Sequence, residues 1–412
     1  MSTVEEHRFY LPGSSELPER RLRVLHVIGG LGPGGAETLL YRLATRGGGV
    51  DHQIICLGPR DWYSSRLEQQ GISVEHLDMS SLGRGLSGTL RLRRLIRRSR
   101  ADVVQAWMYR SNLLAGVHAR SAGIPVVWGV HCSSLDPLGP AARLWVYTSG
   151  MLARWVPSFI INCSSRSAEL HQRLGFDSAP NAVVHNGYDP DAFTADDRAR
   201  ARLRDDFGFT ERDFVVASIA RWHPQKDIPT LLRAVRMVRE RGLPVHCLLV
   251  GHDLDQANPQ LAELIEQTKA KNFVLPLGRR SDIRELACAM DLHVLASMGG
   301  EAFPNAVAET MLCETPNLVT DVGDAPFMVE GSGWVVSPRR PDELAGAIHE
   351  AYEEWQDTPA RWAERRAAAR ARIATNFTLD KMAEAYEEIW RRVAGKDAAQ
   401  RTDMAPARQG RG

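Results

Sequence analysis

The chain has 412 residues, 44% hydrophobic and 25% charged, a composition typical of a globular protein long enough for two domains. Its 51 Lys and Arg residues nearly balance its 50 Asp and Glu residues, so the charge does not indicate bulk nucleic-acid binding and we expect no nucleic-acid partner. No apolar run of about 18 residues occurs and the first twenty residues lack a signal-peptide pattern, which predicts neither a transmembrane helix nor a leader.

The six cysteines are widely spaced, and none of them forms the C-x-x-C pattern of zinc or redox sites. They are Cys56, Cys132, Cys163, Cys247, Cys288 and Cys313. Scattered cysteines favour a reducing compartment, so we expect a cytoplasmic protein.

Short β-branched runs alternate with helical patterns in the first half of the chain. The predicted strands are residues 23–28, 53–57, 103–106, 126–130, 159–162 and 182–184. This alternation predicts a parallel, doubly wound α/β domain over residues 21–190, preceded by a flexible arm of residues 1–20.

A glycine cluster, GGLGPGGAET, follows the first predicted strand and opens a helix. It lacks the G-x-G-x-x-G spacing followed by an acid about 20 residues later, so the pattern argues against an NAD-dependent dehydrogenase. Gly34 and Gly35 have no side chains to block a diphosphate from the backbone. The structural alternative is a tight strand-to-helix turn.

Two helical segments of the first domain have ambiguous surfaces. Residues 91–100, RLRRLIRRSR, form a basic amphipathic helix that either packs its apolar side on the sheet or lies on an anionic membrane. Packing on the sheet is the favoured interpretation. The apolar residues around Leu144, Trp145, Met151, Leu152 and Trp155 are interpreted in the same way, with core packing favoured over an acceptor groove.

His131 ends a predicted buried strand, at the sheet edge where open parallel sheets bind ligands. A histidine in this position is either structural or directed at a ligand. We take it as a candidate site residue.

A second α/β unit follows the turn-rich segment HNGYDPDAF and a polar stretch, residues 194–213, which we interpret as the linker. Its predicted strands are residues 214–219, 245–250, 273–277 and 292–296. Its predicted helices are residues 228–241, 261–269 and 282–289. This second domain is predicted over residues 191–376, a final helix over residues 377–394, and a disordered tail over residues 395–412.

Two cations lie close together where the second domain begins, in the run ARWHPQKDIPTLLRAV. Arg221 ends a predicted strand and Lys226 comes just before a helix, so both can converge on one phosphate group. The structural alternative is a pair of solvated surface charges.

The stretch EAFPNAVAE places Glu301 and Glu309 eight residues apart where a loop becomes a helix. Backbone amides of residues 303–306 open that helix, and a helix N-terminus favours anions. The flanking carboxylates suit sugar hydroxyls. Phosphate and polyol together indicate a nucleotide-sugar.

HDLDQ is a competing constellation, in which Asp253 and Asp255 have the D-x-D spacing of metal-dependent transferases. Such spacing often arises by chance, and the cations of the preceding motif make a metal redundant. We therefore expect no metal and no cofactor.

The run ASMGGEAFPNAVAETMLCETP resembles the E-x7-E region of retaining glycosyltransferases of family 4 (glycosyl transferases group 1), which have the GT-B fold of two Rossmann-like domains facing across a cleft. ARWHPQKD resembles the family's GRxxxxKG element, and GGLGPGGAET its GGxGGAE loop. The segment TDVGDAPF resembles the DVGD form of polysaccharide-biosynthesis members, with Phe327 in place of a common glutamate. In such enzymes the final helix crosses back to the first domain.

The resemblance implies a role for each candidate residue. It directs His131 and Glu301 to the donor sugar, Arg221 and Lys226 to the pyrophosphate and Glu309 to the ribose. With Arg221, Lys226 and Glu309, the expected donor-binding set is completed by Gly34, Gly35, Arg280, Phe303, Pro304, Asn305 and Ala306. Catalysis is expected from Glu301, His131, Arg221 and Lys226.

The expected function is retaining transfer of a hexose from a UDP-sugar to a saccharide or lipid-linked saccharide in polysaccharide or glycolipid biosynthesis, without a metal. Peripheral contact with the inner face of a membrane is part of this expectation. A small-molecule, natural-product glycosyltransferase is the nearest alternative. A non-catalytic protein that binds sugar nucleotides is the alternative from another class, although none of Arg221, Lys226 and Glu309 has been lost.

Overall fold

The computed structural model describes residues 21–79, 82–135 and 138–403. It contains two parallel β-sheets with helices between successive strands, and residues from both domains line a common cleft. This architecture confirms the predicted GT-B type of α/β fold. The arm predicted as flexible, residues 1–20, lies outside the described residues.

Seven strands form the sheet of the first domain, in the order β3-β2-β1-β4-β5-β6-β7. The elements are β1 (Leu22–Ile28), α1 (Gly35–Thr45), β2 (Val50–Cys56), α2 (Ser64–Gln69), β3 (Ser73–His76), α3 (Leu82–Arg98), β4 (Val103–Trp107), α4 (Met108–Ser121), β5 (Val126–Val130), α5 (Pro140–Leu152), β6 (Phe159–Asn162), α6 (Ser165–Gln172) and β7 (Asn181–Val183). All pairs are parallel, and β4, β5 and β6 are buried throughout because helices cover both faces. The strand order reverses between β1 and β4, where such sheets bind ligands.

Six parallel strands form the second sheet, in the order β10-β9-β8-β11-β12-β13. The elements are α7 (Asp197–Asp206), β8 (Phe214–Ile219), α8 (Ile228–Glu240), β9 (Val245–Val250), α9 (Pro259–Gln267), β10 (Val274–Gly278), α10 (Ile283–Ala289), β11 (Leu292–Leu295), α11 (Asn305–Leu312), β12 (Asn317–Thr320), α12 (Ala325–Val329), β13 (Trp334–Val336), α13 (Pro341–Asp357), α14 (Pro359–Asn376) and α15 (Leu379–Asp403). Here the order reverses between β8 and β11. The loops that follow these two strands carry the candidate residues Arg221, Lys226 and Glu301.

The segment interpreted as a linker, residues 194–213, instead belongs to the second domain, because it contains α7. Asp196 caps this helix by accepting hydrogen bonds from backbone amides in its first turn. Arg204 is almost fully buried and pairs with Asp291, with 3.0 Å between Nη1 and Oδ2, and Arg200 pairs with the same carboxylate. The polar residues that suggested a linker are therefore a cap and a buried ion-pair network.

The last helix, α15, packs against the first domain. Tyr386 stacks on Trp107 with 5.9 Å between ring centroids, and Trp390 donates a hydrogen bond to Gln105 Oε1 at 2.9 Å. The helix continues to Asp403, so the disordered tail predicted from residue 395 does not begin there. Lys, Ala, Gln and Arg beyond residue 395 are good helix formers. Residues 404–412 lie outside the described part.

The apolar side chains of α3 and α5, for which the sequence left two interpretations, differ in how far they are buried. In α3, Leu92 and Ile96 are fully buried, so the apolar side of the basic segment packs on the sheet. In α5, Trp145 and Leu152 pack against the core, as expected. Leu144 and Met151 of α5, and Trp155 in the turn after it, are exposed instead, which corrects the prediction of core packing for these three residues.

In the part of the chain that the structure describes, no helix combines the length and the apolar character that crossing a membrane requires.

Candidate active site

A cleft of about 540 Å³ lies where the carboxyl ends of strands from both sheets meet. Loops after β1, β4 and β5 contribute one wall, and loops after β8 and β11 contribute the other. Of the predicted site residues, it is lined by Gly34, Gly35, His131, Arg221, Lys226, Glu301, Phe303, Pro304, Asn305 and Ala306. Glu309 and Arg280 are not among the residues that line it.

Glu301 lies in the loop after β11 and is held by an ion pair. Lys226 Nζ donates to Glu301 Oε1, and Ser297 Oγ donates to the same oxygen at 2.6 Å. Burial raises the pKa of Glu301, but the charge and hydrogen bond of Lys226, the Ser297 hydrogen bond and the charge of Arg221 outweigh it. The pKa therefore lies below its ordinary value and the carboxylate is ionised.

The backbone around Glu301 is packed closely against neighbouring loops. Ser133 Oγ, from the first domain, donates to the Glu301 carbonyl oxygen. Gly323 has φ +56°, and a Cβ atom there would lie 2.1 Å from the same carbonyl oxygen. Only glycine therefore fits this position, which explains the glycine of the DVGD segment.

The N-terminus of α11 forms the floor of the cleft. Pro304 precedes the first turn, and the Asn305 side chain is fixed because the Tyr188 hydroxyl donates to its Oδ1 at 2.9 Å. Asn186 Nδ2 donates to the Phe303 carbonyl oxygen at 3.3 Å. Both contacts come from the segment that links the domains. These two contacts anchor the start of α11, whose opening amides favour anions.

Arg221 and Lys226 reach the cleft from the loop after β8. Arg221 is exposed and has no ion-pair partner within the described ranges. Lys226 ends a short 3-10 helix, and Asp227 then caps α8 in the left-handed conformation with φ +45°. Gly251 makes room for this loop, since a Cβ atom there would overlap the Ala220 carbonyl oxygen.

His131 follows β5 and stacks on Trp107, with 5.3 Å between ring centroids. Burial lowers its pKa to about 3, so the ring is neutral at physiological pH. Its buried Nε2 has no hydrogen-bond partner among the described residues. A buried ring nitrogen without a partner in a cleft is suited to a hydroxyl group of a ligand.

The glycine loop covers the cleft from the first domain. Gly35 opens α1, and nothing lies within 4 Å of the position that its Cβ atom would take. Glu37 in the first turn of α1 also lines the cleft, as does Met108 after β4. Met108 has φ +66°, a strained conformation for a residue other than glycine, of the kind found at functional sites.

Glu309 is directed away from the cleft lining toward α1. Arg42 Nη2 donates to Glu309 Oε1 at 2.6 Å, which joins the two domains through a largely buried ion pair. The guanidinium also lies over the Tyr188 ring, 5.0 Å from its centroid. Burial raises the pKa of Glu309, and the charge and hydrogen bond of Arg42 oppose that rise.

Arg280 is engaged elsewhere. It forms a bidentate pair with Asp282, at 2.8 Å from Nε to Oδ1 and 2.6 Å from Nη2 to Oδ2. The structure therefore does not bring Arg280 together with the other candidates.

The D-x-D segment shows no metal-type cluster. Asp253 pairs with His252, and Asp255 accepts a hydrogen bond from the Ala257 amide at 2.9 Å. Across the described ranges, no group of three or more His, Cys, Asp or Glu side chains is arranged to hold a metal ion.

Sequence reasoning missed several residues that position the site across the domains. Asp324 of the DVGD segment accepts hydrogen bonds from the amides of Ser165 at 2.7 Å and Arg166 at 3.0 Å, so a second-domain carboxylate caps α6 of the first domain. Arg42 and Ser133 likewise reach across. Their sequence neighbourhoods carry no signal for these contacts, because the partners lie more than 150 residues away.

Two family models match most of the chain. Residues 33–192 match Glycosyltransferase Family 4, and residues 213–354 match Glycosyl transferases group 1. The two matches fall on the first and second domains, respectively.

Curated relatives carry related names. The UDP-Gal:alpha-D-GlcNAc-diphosphoundecaprenol alpha-1,3-galactosyltransferase of Escherichia coli is 24% identical over 65% of this chain and 70% of its own length. The D-inositol 3-phosphate glycosyltransferase of Salinispora arenicola is 25% identical over 74% of this chain and 71% of its own length.

Solved structures share the fold. The Anabaena protein HepE in complex with UDP-glucose superposes with a TM-score of 0.77 at 24% identity, covering 89% of this chain and 99% of that chain. Sucrose-phosphate synthase from Thermosynechococcus elongatus superposes with a TM-score of 0.75 at 17% identity, covering 91% of this chain and 100% of that chain. The family models, relatives and fold together identify this chain as a glycosyltransferase of family 4 (glycosyl transferases group 1) with the GT-B fold.

Proposed function

We propose that the protein transfers a hexose from a nucleotide-sugar, with UDP as the nucleotide, to a hydroxyl group of an acceptor, with retention of anomeric configuration. One observation carries the proposal. The N-terminus of α11, the cation Arg221 and the Lys226–Glu301 pair converge in a single cleft between the domains. Anion-binding groups next to an ionised carboxylate match a diphosphate joined to a sugar.

In the proposed reaction the bond between the sugar C1 and the diphosphate oxygen breaks, and its electron pair leaves with the diphosphate. A bond forms between C1 and the acceptor oxygen, and the acceptor proton passes to the leaving diphosphate. Arg221, Lys226 and the amides of residues 303–306 stabilise the leaving charge, which is the largest electrostatic demand of the step. No bound metal is required, since these groups supply the positive charge.

Glu301 and His131 act at the sugar in this proposal. Because Lys226 and Ser297 hold the Glu301 carboxylate in its ionised form, it accepts hydrogen bonds from sugar hydroxyls and stabilises positive charge at C1 rather than donating a proton. Neutral His131 offers Nε2 to a sugar hydroxyl. The family resemblance supports assigning Glu309 to the ribose, although in this structure Glu309 pairs with Arg42 and does not line the cleft.

The proposed acceptor is a saccharide or a lipid-linked saccharide in polysaccharide or glycolipid biosynthesis at the cytoplasmic side of a membrane. The name of the Escherichia coli relative, which includes a diphosphoundecaprenol-linked sugar, supports this class. The D-inositol 3-phosphate relative favours a small-molecule acceptor as the second candidate.

The donor is tested by screening nucleotide-sugars with different bases for thermal stabilisation and for release of nucleoside diphosphate. A ligand at 100 times its Kd stabilises the folded state by about 2.7 kcal/mol. We expect UDP-sugars to stabilise the wild type and to be consumed, and Arg221→Ala to lose the consumption. Consumption of a sugar linked to another base but not to UDP would contradict the UDP assignment. Binding without any turnover or hydrolysis would indicate the non-catalytic alternative. Retention is read from the anomeric coupling constants of the product by NMR.

A further inference from the structure

Two cysteines of the second domain lie side by side although they are far apart in the sequence. Cys288 belongs to α10, and Cys313 directly follows α11. Both are buried, and they pack in one small cluster with Ala287 and Phe193. The two thiols share an acceptor, because Cys288 Sγ donates to the Arg284 carbonyl oxygen at 3.3 Å and Cys313 Sγ donates to the same oxygen at 3.7 Å. The fold thus creates a dithiol that the wide spacing of the cysteines conceals.

A hydrogen bond between the two thiols makes them chemically unequal. It lowers the pKa of Cys288 despite burial, whereas it raises the pKa of Cys313, where burial adds to the rise. Burial raises the pKa of each of the remaining cysteines, which are Cys56, Cys132, Cys163 and Cys247. Cys288 is therefore the thiol that ionises most readily, and its neighbour keeps a proton. This is the arrangement of a nucleophilic thiol beside a resolving thiol.

A cavity of about 110 Å³ gives the pair room for a small oxidant. Both cysteines line it, together with Arg200, Glu314 and Arg366. Water takes up about 30 Å³ per molecule in the liquid, so the cavity is large enough for hydrogen peroxide. The side chains of Glu314 and Arg366 are 35% and 36% exposed, which puts this end of the cavity close to the surface. The two guanidinium groups favour a thiolate at the cavity wall.

The backbone next to the pair is strained. Glu314, the residue after Cys313, has φ +61°, a left-handed conformation that is unusual for a residue other than glycine. Arg366 holds it there, because Nε donates to the Glu314 carbonyl oxygen at 3.1 Å and Nη2 lies 3.5 Å from its carboxylate. Strain of this kind is concentrated at functional sites.

The dithiol also touches the connection between the domains. Cys288 Sγ lies 3.5 Å from the Thr194 carbonyl oxygen, a second acceptor for the same thiol proton. Arg284 Nη2 donates to Thr194 Oγ1 at 2.8 Å, and Phe193 packs against both cysteines. Cys313 ends α11, whose first turn is the floor of the cleft. A covalent bond between the sulfurs would remove the donor to Thr194 and displace the end of α11.

We propose that Cys288 and Cys313 form an oxidation site, at which hydrogen peroxide converts the dithiol into an intramolecular disulfide that weakens donor binding through α11. The Cys288 thiolate attacks one peroxide oxygen, the O–O bond breaks, and the other oxygen leaves with its electron pair and takes up a proton to form water. The Cys313 sulfur then attacks the sulfur of the resulting sulfenic acid, and its proton leaves with the second oxygen as water. One peroxide is thereby reduced to two waters as two thiols become one disulfide.

A metal ion is the other ligand that two thiols could bind. Zinc and related soft-metal sites need further side-chain ligands. Across residues 21–79, 82–135 and 138–403, no third His, Cys, Asp or Glu completes such a group with the two cysteines. Oxidation is therefore the chemistry that the pair supports.

The oxidation is tested on the full chain by treating it with hydrogen peroxide, alkylating the remaining thiols under denaturing conditions and mapping disulfides by mass spectrometry. Two of the six thiols should be lost, and dithiothreitol should restore both. The linked peptides should contain Cys288 and Cys313. Cys288→Ser should keep its other thiols at the same peroxide dose, whereas Cys313→Ser should stop at a sulfenic acid that dimedone traps. Cys247→Ala is the matched control, since Cys247 is another buried cysteine of the second domain, and it should oxidise like the wild type.

The effect on donor binding is measured by calorimetry with UDP, and this part rests on the proposed function. The oxidised wild type should bind UDP about tenfold more weakly, because a displaced helix no longer presents its first turn in the binding geometry. Reduction should restore the affinity. The Cys288→Ser variant should bind UDP like the reduced wild type with or without peroxide. Circular dichroism confirms that each variant is folded, and the disulfide map of the wild type needs no variant.

The outcomes separate this proposal from the proposed function. A wild type that keeps all six thiols, or that first forms a disulfide elsewhere or between two chains, would overturn the oxidation site. A mapped Cys288–Cys313 disulfide with unchanged UDP affinity would overturn its action on the donor site. If the reduced protein bound no UDP while the disulfide formed as expected, the proposed function would fail and the oxidation site would stand.

Discussion

At the residue scale, the pKa values of the two carboxylates of the E-x7-E segment are shifted in opposite directions, one by neighbouring groups and the other by burial. Lys226 and Ser297 hold the pKa of Glu301 below its ordinary value against burial. Burial keeps the pKa of Glu309 above its ordinary value despite Arg42. The two glutamates therefore lie in different electrostatic environments, and the second prediction tests whether they also have different functions.

The first prediction concerns the two cations. Arg221→Ala and Lys226→Ala should each lower kcat by about 100-fold or more, because each removes a positioned charge from the leaving diphosphate. The two variants should differ in thermal stability. Arg221 is exposed, so its loss should leave the melting temperature unchanged, whereas loss of Lys226 leaves Glu301 buried without its cation and should cost up to about 3 kcal/mol. Single-turnover kinetics and thermal unfolding measure the two effects. Near-normal turnover in folded variants would contradict the assignment.

The second prediction separates the carboxylates. Glu309→Gln should weaken binding of bare UDP, because this residue is assigned to the ribose hydroxyls. Glu301→Gln should leave UDP affinity nearly unchanged and lower turnover, because it is assigned to the reacting sugar. Isothermal titration calorimetry with UDP and steady-state kinetics provide the comparison. The reverse pattern would mean that the two roles are exchanged.

The third prediction assigns Arg42 as a positioning residue for Glu309. Without its cation, the buried Glu309 should have a still higher pKa, so lowering the pH should weaken UDP binding by Arg42→Met at a higher pH than in the wild type. Protonated Glu309 can no longer accept hydrogen bonds from both ribose hydroxyls. Calorimetry at a series of pH values measures the effect, and Arg42→Lys should restore part of the affinity. A uniform loss at every pH in the Met variant would indicate a purely structural role.

At the element scale, the loops after β8 and β9 carry the two alternative groups for binding the diphosphate. The loop after β8 carries the cations Arg221 and Lys226, and the loop after β9 carries the D-x-D carboxylates, which would need a metal ion. The loop after β9 has its own structure, with Asp255 bonded to the Ala257 amide and Asn258 capping α9. The fourth prediction is that activity persists in excess EDTA and that Asp253→Asn combined with Asp255→Asn retains most of it. Activity assays with and without chelator and Mn²⁺ test this. Loss of activity in EDTA with recovery on addition of Mn²⁺ would contradict the prediction and assign diphosphate binding to the D-x-D segment.

Sequence periodicity predicted the central elements well and the peripheral ones poorly. The predicted bounds of β5, β6, β8 and β9 agree with the structure residue by residue, because these buried strands are continuous apolar runs between polar turns. Strand β3 and helix α7 were missed. Strand β3 has only four residues at a sheet edge, and the interactions that hold α7 are capping and ion pairs, which periodicity does not detect.

At the scale of the whole molecule, buried neutral histidines couple stability to pH. Burial lowers the pKa of His52, His171 and His293 to about 4, and that of His131 to about 3. Because the folded pKa values lie below the ordinary value of about 6.5, the unfolded state binds more protons below that pH, and stability falls as the pH decreases through this window.

The fifth prediction follows from these histidines. Between about pH 6.5 and pH 5, each of them should lower the free energy of unfolding by about 1.4 kcal/mol per pH unit. Urea unfolding at several pH values measures the slope. His171→Gln, which preserves a polar side chain near the Tyr109 hydroxyl, should reduce the slope by one histidine's share. A slope that does not respond to this substitution would show that other groups control the acid sensitivity.

The sequence by itself determined the fold class, the family resemblance and the two local motifs, because strand periodicity, the Arg221–Lys226 spacing and the E-x7-E segment are encoded within short stretches. Tertiary structure decided which residues meet across the cleft. Only folding brings Arg42 to Glu309 and Ser165 to Asp324, over separations of 267 and 159 residues. The tertiary structure also pairs Arg280 with Asp282, away from the other candidates, and leaves Leu144, Tyr147 and Met151 of α5 exposed. Periodicity shows that a helix has an apolar side, but whether that side is covered depends on what packs against it.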